Sequence, residues 1–187
     1  MKIEINRRGC IKQLAAAGLL GITARVDGAK VGNGYIIGLS MYSLRQLFRQ
    51  GTLDAMGYPA FVRDTFGITD IDVWDGAFPK ERRNDPALYH ALRKRADEAG
   101  SNIFMLMAGT LDANSKTDPE RRKEAEKFHA QIGYAAILGC KHVRIFLKAP
   151  DGEKGHAVEQ SIHALTPLAD YAGTKGLKLV IEPGNST

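Results

Sequence analysis

Gly139-Cys140-Lys141-His142-Val143-Arg144-Ile145-Phe146-Leu147 joins the end of a helical pattern to an apolar strand, and the same junction recurs at Gly67, Gly100 and Gly176. The intervals of 33, 39 and 37 residues each hold one strand plus one return helix. Glycine closes a helix at such a point because it enters the left-handed conformation without a Cβ clash. The strands that follow are Ile68–Trp74, Ser101–Met107, Cys140–Leu147 and Leu177–Glu182, and Tyr35–Tyr42 begins the series. Five strands alternating with four helices predict an α/β fold with a parallel sheet and crossover helices. The pitch matches a barrel of eight such units, incomplete and ending after strand five. An open doubly wound sheet is the alternative, but no glycine-rich phosphate fingerprint follows the first strand.

The helices fit this count. Asp85-Pro86 and Asp118-Pro119 each offer a capping carboxylate followed by proline in the first turn. Apolar seams run through Leu88, Leu92 and Ala96; through Phe128, Ile132, Ala135 and Ala136; and through Val158, Ile162, Leu165, Ala169 and Ala172. The first helix has Pro59 near its start and Phe61 and Phe66 as apolar anchors.

Residues 1–30 stand outside this rhythm. Asn6-Arg7-Arg8-Gly9-Cys10-Ile11-Lys12 precedes a short apolar run to Thr23, the pattern of a twin-arginine export leader. The run is too short for a comfortable membrane span, so export to the periplasm without a stable span is expected. The segment carries six Lys/Arg against Glu4 and Asp27, a net +4 of the chain's +5. Residues 31–187 are therefore nearly neutral and offer no electrostatic case for nucleic acid. Cleavage would also remove Cys10 and leave Cys140 as the only thiol, excluding an intrachain disulfide or a thiol-rich metal site.

Alternation sorts the strands into helix-facing and barrel-facing sets. Ile37, Leu39 and Met41, Ile71 and Val73, Val143, Ile145 and Leu147, and Leu179 and Ile181 suit the helix layer. That turns Gly38, Ser40 and Tyr42, Asp70, Asp72 and Trp74, His142, Arg144 and Phe146, and Lys178, Val180 and Glu182 inward. Strand three is apolar on both faces and cannot be sorted. Asp72 and Arg144 then occupy one interior and are candidates to pair, since buried charge is costly alone. Glu182 ends strand five at the rim where active sites of such barrels lie. Trp74 and Tyr42 end their strands at the same rim, with flat faces suited to the C–H surfaces of sugars or to rim packing. Lys148, just past strand four, could hold a phosphate or carboxylate. His90, His129 and His163 fall on helices, His142 lies at the upstream end of its strand, and no histidine pair has metal-ligand spacing.

Residues 35–183 resemble the xylose-isomerase-like superfamily of sugar isomerases and epimerases, which also holds endonuclease IV and inosose dehydratase relatives. The resemblance rests on Ser40-Met41-Tyr42-Ser43, Leu53-Asp54 with Tyr58-Pro59-Ala60-Phe61, Phe66-Gly67-Ile68, Arg121 to His129 with Ala135 to Cys140, Val143 to Phe146, and Leu179-Val180-Ile181-Glu182-Pro183. It implies a TIM barrel and a small sugar or keto-sugar as substrate. It also implies a divalent cation, Mn²⁺ or Mg²⁺ by ligand chemistry with Zn²⁺ as an alternative, and a homo-oligomer is compatible with it. Glu182 is the one implied metal ligand and proton carrier that can be carried over, and a cation is held only if the other ligands are supplied. The implied reaction is metal-assisted proton transfer through an enediolate, with a keto-sugar or inosose lyase or a non-catalytic fragment as alternatives. Where the resemblance has Asn-His after the glutamate, this chain has Pro183-Gly184. Abasic-site repair is disfavoured, because Trp74-Asp75 and Ala108-Gly109-Thr110 supply no histidine at the rims of strands two and three.

Overall fold

Each of the four junction glycines has a positive φ, between 65° and 74°, and so ends its helix in the left-handed region before the next strand begins. The computed structural model describes residues 30–31, 35–113, 117–148 and 154–182. The export leader lies outside the described residues. Strands β1 (Gly38–Leu39), β2 (Asp70–Trp74), β3 (Asn102–Asp112), β4 (His142–Lys148) and β5 (Lys178–Glu182) form one sheet in sequential order, with every pair parallel. Helices α1 (Tyr58–Phe66), α2 (Pro86–Glu98), α3 (Asp118–Ile137) and α4 (Lys154–Thr174) connect them. The architecture is a partial barrel, as the glycine rhythm predicts.

The local signals differ in detail. Asp85 caps α2 by accepting the Ala87 N–H. At α3 the cap is Thr117 rather than Asp118: its hydroxyl accepts the Glu120 N–H while the Glu120 carboxylate accepts the Thr117 N–H, a reciprocal capping box. Helix α1 is anchored by buried Tyr58, Pro59 and Val62, with Phe61 and Phe66 only half-buried and edge to face. On α4 the buried positions are Ser161, Leu168 and Ala172, whereas Val158 and Ile162 are each 57% exposed. Of the expected stripe, Ala172 is buried and Leu165 packs on the core, while Val158 and Ile162 in the first half of the helix point off the sheet.

Strand β1 is much shorter than the apolar run that suggested it. Tyr35–Ile36 pairs antiparallel with Lys30–Val31 instead, and residues Met41–Leu44 form a 3-10 turn. The chain leaves the sheet because the Met41 N–H donates to Asp72 Oδ1 at 2.7 Å rather than to a strand. Strand β3 explains why alternation could not sort it. It carries an extra residue at Phe104, between the pairs Ile71–Ile103 and Asp72–Met105. It carries another between the pairs Met107–Arg144 and Thr110–Phe146. Each bulge flips the parity, so Ile103 and Leu106 are both fully buried although three residues apart.

The core lies between sheet and helices. Ile71, Val73, Ile103, Leu106, Val143 and Ile145 are fully buried against Val62, Leu92, Phe128, Ile132 and Leu138. Ile181, also on the helix-facing side, is 45% exposed, because no described helix covers β5 from beyond.

Candidate functional site at the strand ends

Register aligns the barrel-facing side chains in rungs. Asp72, Met105, His142 and Lys178 share one; Trp74, Met107, Arg144 and Val180 the next; Thr110, Phe146 and Glu182 the last. Asp72 therefore sits a rung below Arg144, and the two do not form the expected contact pair. Arg144 instead meets Glu182, with Nε 2.9 Å from Oε2. Its side chain is 8% exposed while that of Glu182 is 49% exposed. The approach lies off the N–H direction, so the buried Nε–H has no hydrogen-bond acceptor among the described residues. The guanidinium carbon lies 4.2 Å above the Phe146 ring, which holds the cation in place.

Asp72 has a different task from the one its charge suggested. It is 3% exposed and receives the Met41 N–H, tying the turn after β1 to β2. Burial raises its carboxyl above the usual range, with the Met41 and Ser40 hydrogen bonds and the Arg144 charge acting against that rise.

The aromatic pair comes together although Tyr42 lies in the 3-10 turn rather than at a strand end. Tyr42 and Trp74 meet edge to face with centroids 5.1 Å apart, and the Arg45 guanidinium lies 4.8 Å from the Tyr42 centroid. Trp74 also depends on Gly76, where a Cβ would come within 2.2 Å of the indole. Lys148 is the last residue of β4 and is engaged by Asp112 Oδ2 at 2.9 Å.

Sequence reasoning passed over Asp75, which follows Trp74 in a short 3-10 turn. Burial pushes its carboxyl up, and the charges of Arg83, Arg144 and Lys127 pull it back. A carboxylate next to a strand-ending tryptophan was the available signal. Cys140 is buried at the far end of β4, and burial pushes its thiol up to about 12, which removes it as a nucleophile. His129 packs on Tyr171 at 4.5 Å and His90 and His163 are exposed on helices, so none of the three reaches the mouth. A cleft of about 680 Å³ bordered by Asp112, Arg122, Glu124 and His163 opens between α3 and α4. Among the described residues no three His, Cys, Asp or Glu side chains converge as a metal site, and no helix is long and apolar enough to cross a membrane.

The family model described as xylose isomerase-like TIM barrel matches residues 60–187. The chain belongs to that family. No curated protein matches it. Among solved structures, a sugar phosphate isomerase/epimerase from Parabacteroides distasonis is 19% identical, with 80% of this chain and 55% of that one covered and a TM-score of 0.59. D-psicose 3-epimerase in the presence of D-fructose is 18% identical over 77% of this chain and 50% of the other, at 0.56. The IOLI protein with a bound zinc atom is 16% identical over 69% and 49%, at 0.52. At these identities the likeness is one of fold. The family member described here spans about half the length of those structures.

Proposed function

We propose that this chain supplies one side of a sugar isomerase or epimerase mouth, with a keto-sugar as substrate. The observation that carries the reading is the contact of Glu182, at the carboxyl end of β5, with Arg144 inside β4, on the rung that also holds Trp74. Glu182 is half-exposed and able to meet a ligand, so its carboxylate takes the proton from the carbon next to the carbonyl and returns it. Arg144 keeps that carboxylate in place and offers N–H donors to the oxygen on which charge develops. Trp74 and Tyr42 bound the sugar's C–H surface. Lys148 is placed at the rim beside Asp112, within reach of a polar substituent.

Divalent cations of the kind the family resemblance implies need several oxygen or nitrogen donors. The described residues offer Glu182, whose carboxylate already faces a cation, and no converging set of three donors. They do not by themselves fit such a metal.

The test is exchange of the C–H proton beside the carbonyl of free and phosphorylated ketoses in deuterated water, followed by NMR with and without Mn²⁺, Mg²⁺ or Zn²⁺. Exchange that Glu182→Gln abolishes is the expected result. Absence of exchange with every ketose and metal leaves a binding protein without turnover. Product lacking one water identifies a lyase. The export reading rests on the paired Arg7 and Arg8, and the N-terminal sequence of the protein recovered from periplasm tests it.

A further inference from the structure

Trp74 keeps its place at the mouth through the segment that follows it, and that segment is held from behind. After β2 the chain makes the 3-10 turn Asp75–Ala77, closed by the Phe78 N–H on the Asp75 carbonyl at 3.1 Å. The indole fills the space beside Gly76, so the Gly76 backbone sets where the ring rests. The carbonyls of Gly76 and Phe78 both accept from Arg83, with Nη2 at 3.2 Å and Nε at 3.1 Å. One guanidinium fork thus fixes the two carbonyls on either side of Ala77, a span that suits its several rigidly spaced donors.

Arg83 is itself anchored. Its own carbonyl accepts the Tyr89 hydroxyl at 2.7 Å, and the next carbonyl, of Asn84, accepts the Tyr134 hydroxyl at 2.9 Å. Tyr89 on α2 and Tyr134 on α3 are buried and stacked, with centroids 4.2 Å apart and planes 8° from parallel. Phe78 meets Tyr89 edge to face at 5.4 Å. Burial raises both tyrosine hydroxyls, so they stay protonated and keep donating. Contacts therefore run without a break from the helix layer through Arg83 to Gly76, and end at Trp74.

Resting on the sugar-site reading above, we propose that Arg83 is a positioning residue for the mouth: its fork holds the Gly76 and Phe78 carbonyls and so keeps the Trp74 indole where it bounds the substrate. Arg83 acts through Trp74 and needs no contact with substrate of its own. Its loss therefore weakens binding and leaves the proton transfer at Glu182 in place, which separates KM from kcat.

The experiment compares the full chain with its Arg83→Met and Arg83→Lys variants, each well below its melting temperature. Acrylamide quenching of Trp74, the chain's single tryptophan, reads the freedom of the indole without any ligand. Turnover of the ketose whose C–H proton exchanges reads the mouth. In Arg83→Met quenching should rise, and KM should rise about ten-fold with kcat within about two-fold. Arg83→Lys keeps the charge that acts on Asp75 but loses the fork, so it should recover only part of each readout. Unchanged quenching in a folded Arg83→Met overturns the proposal, as does full recovery by lysine or a loss confined to kcat. A lowered melting temperature with neither readout altered gives Arg83 a role in stability alone and overturns it too. If Arg83→Met does not fold, Arg83→Lys decides, and quenching equal to that of the unaltered chain is then the overturning result. If no ketose exchanges, the sugar-site reading fails, and quenching alone decides whether Arg83 holds Trp74.

Discussion

At Gly76 a Cβ atom would lie 2.2 Å from Cε2 and Cζ2 of Trp74, so the indole fills space that any other residue would need. Gly76→Ala is expected to drive the indole off the rim, at a cost of about 1–3 kcal/mol as for other overpacked sites. Emission from the single tryptophan should shift, and an unaltered spectrum would show that the ring had another resting place. Asp72 gives a pH signature. Burial raises its carboxyl, so the folded chain keeps this proton at a pH where the unfolded chain, near the usual aspartate value of about 4, has lost it. Its contribution is full below about pH 4 and is lost as pH rises through the folded value. Asp72→Asn removes that decline, so stability relative to the unaltered chain should move in the variant's favour as pH rises above about 4. Urea midpoints at one fixed protein concentration measure it, and a difference independent of pH refutes it. At this scale Glu182, Trp74 and Arg144 were legible from alternation and strand ends. The partner of Arg144 was not, because alternation gives the face of a residue and not its rung.

Among the elements, caps and punctuation were readable and register was not. The glycines that end α1, α2, α3 and α4 declare themselves because left-handed backbone excludes most other residues. The α3 cap was misplaced by one residue, since Thr117 and Asp118 are both good capping side chains and only the reciprocal bond to Glu120 separates them. Thr117→Ala should cost about 1 kcal/mol and speed hydrogen exchange in the first turn of α3 while leaving the other helices unaffected. Equal exchange throughout would assign the cap elsewhere. The two bulges of β3 had no signal in an apolar run, because every residue there suits either face. The first places Phe104 against Gly38, where a Cβ would come within 3.0 Å of the ring, and so ties β3 across β2 to β1. The α4 stripe holds at Leu165 and Ala172 but not in the first half of the helix, where Ser161 is the buried residue and Val158 and Ile162 lie on the uncovered side.

For the molecule as a whole, the sheet order leaves one side of β1 and one side of β5 unpaired among the described residues. Tyr35, Ile36 and Ile181 are exposed beside those edges. A polypeptide of residues 31–187 should therefore associate, as an edge-paired dimer or larger aggregates, bind an apolar dye and lack a sharp monomeric melting transition. A monodisperse monomer that melts cooperatively, seen by light scattering and calorimetry, would rule this out. The sequence by itself determined the alternation of strand and helix, the parallel order and the strand-ending places of Trp74 and Glu182, because these follow from backbone preferences and local periodicity. Only the tertiary structure decided that Arg144 meets Glu182, that Asp72 holds the Met41 N–H, and that β1 stops after two residues. Those outcomes depend on how far one strand slides along another, and that distance is set by bulges and packing between residues remote in the chain.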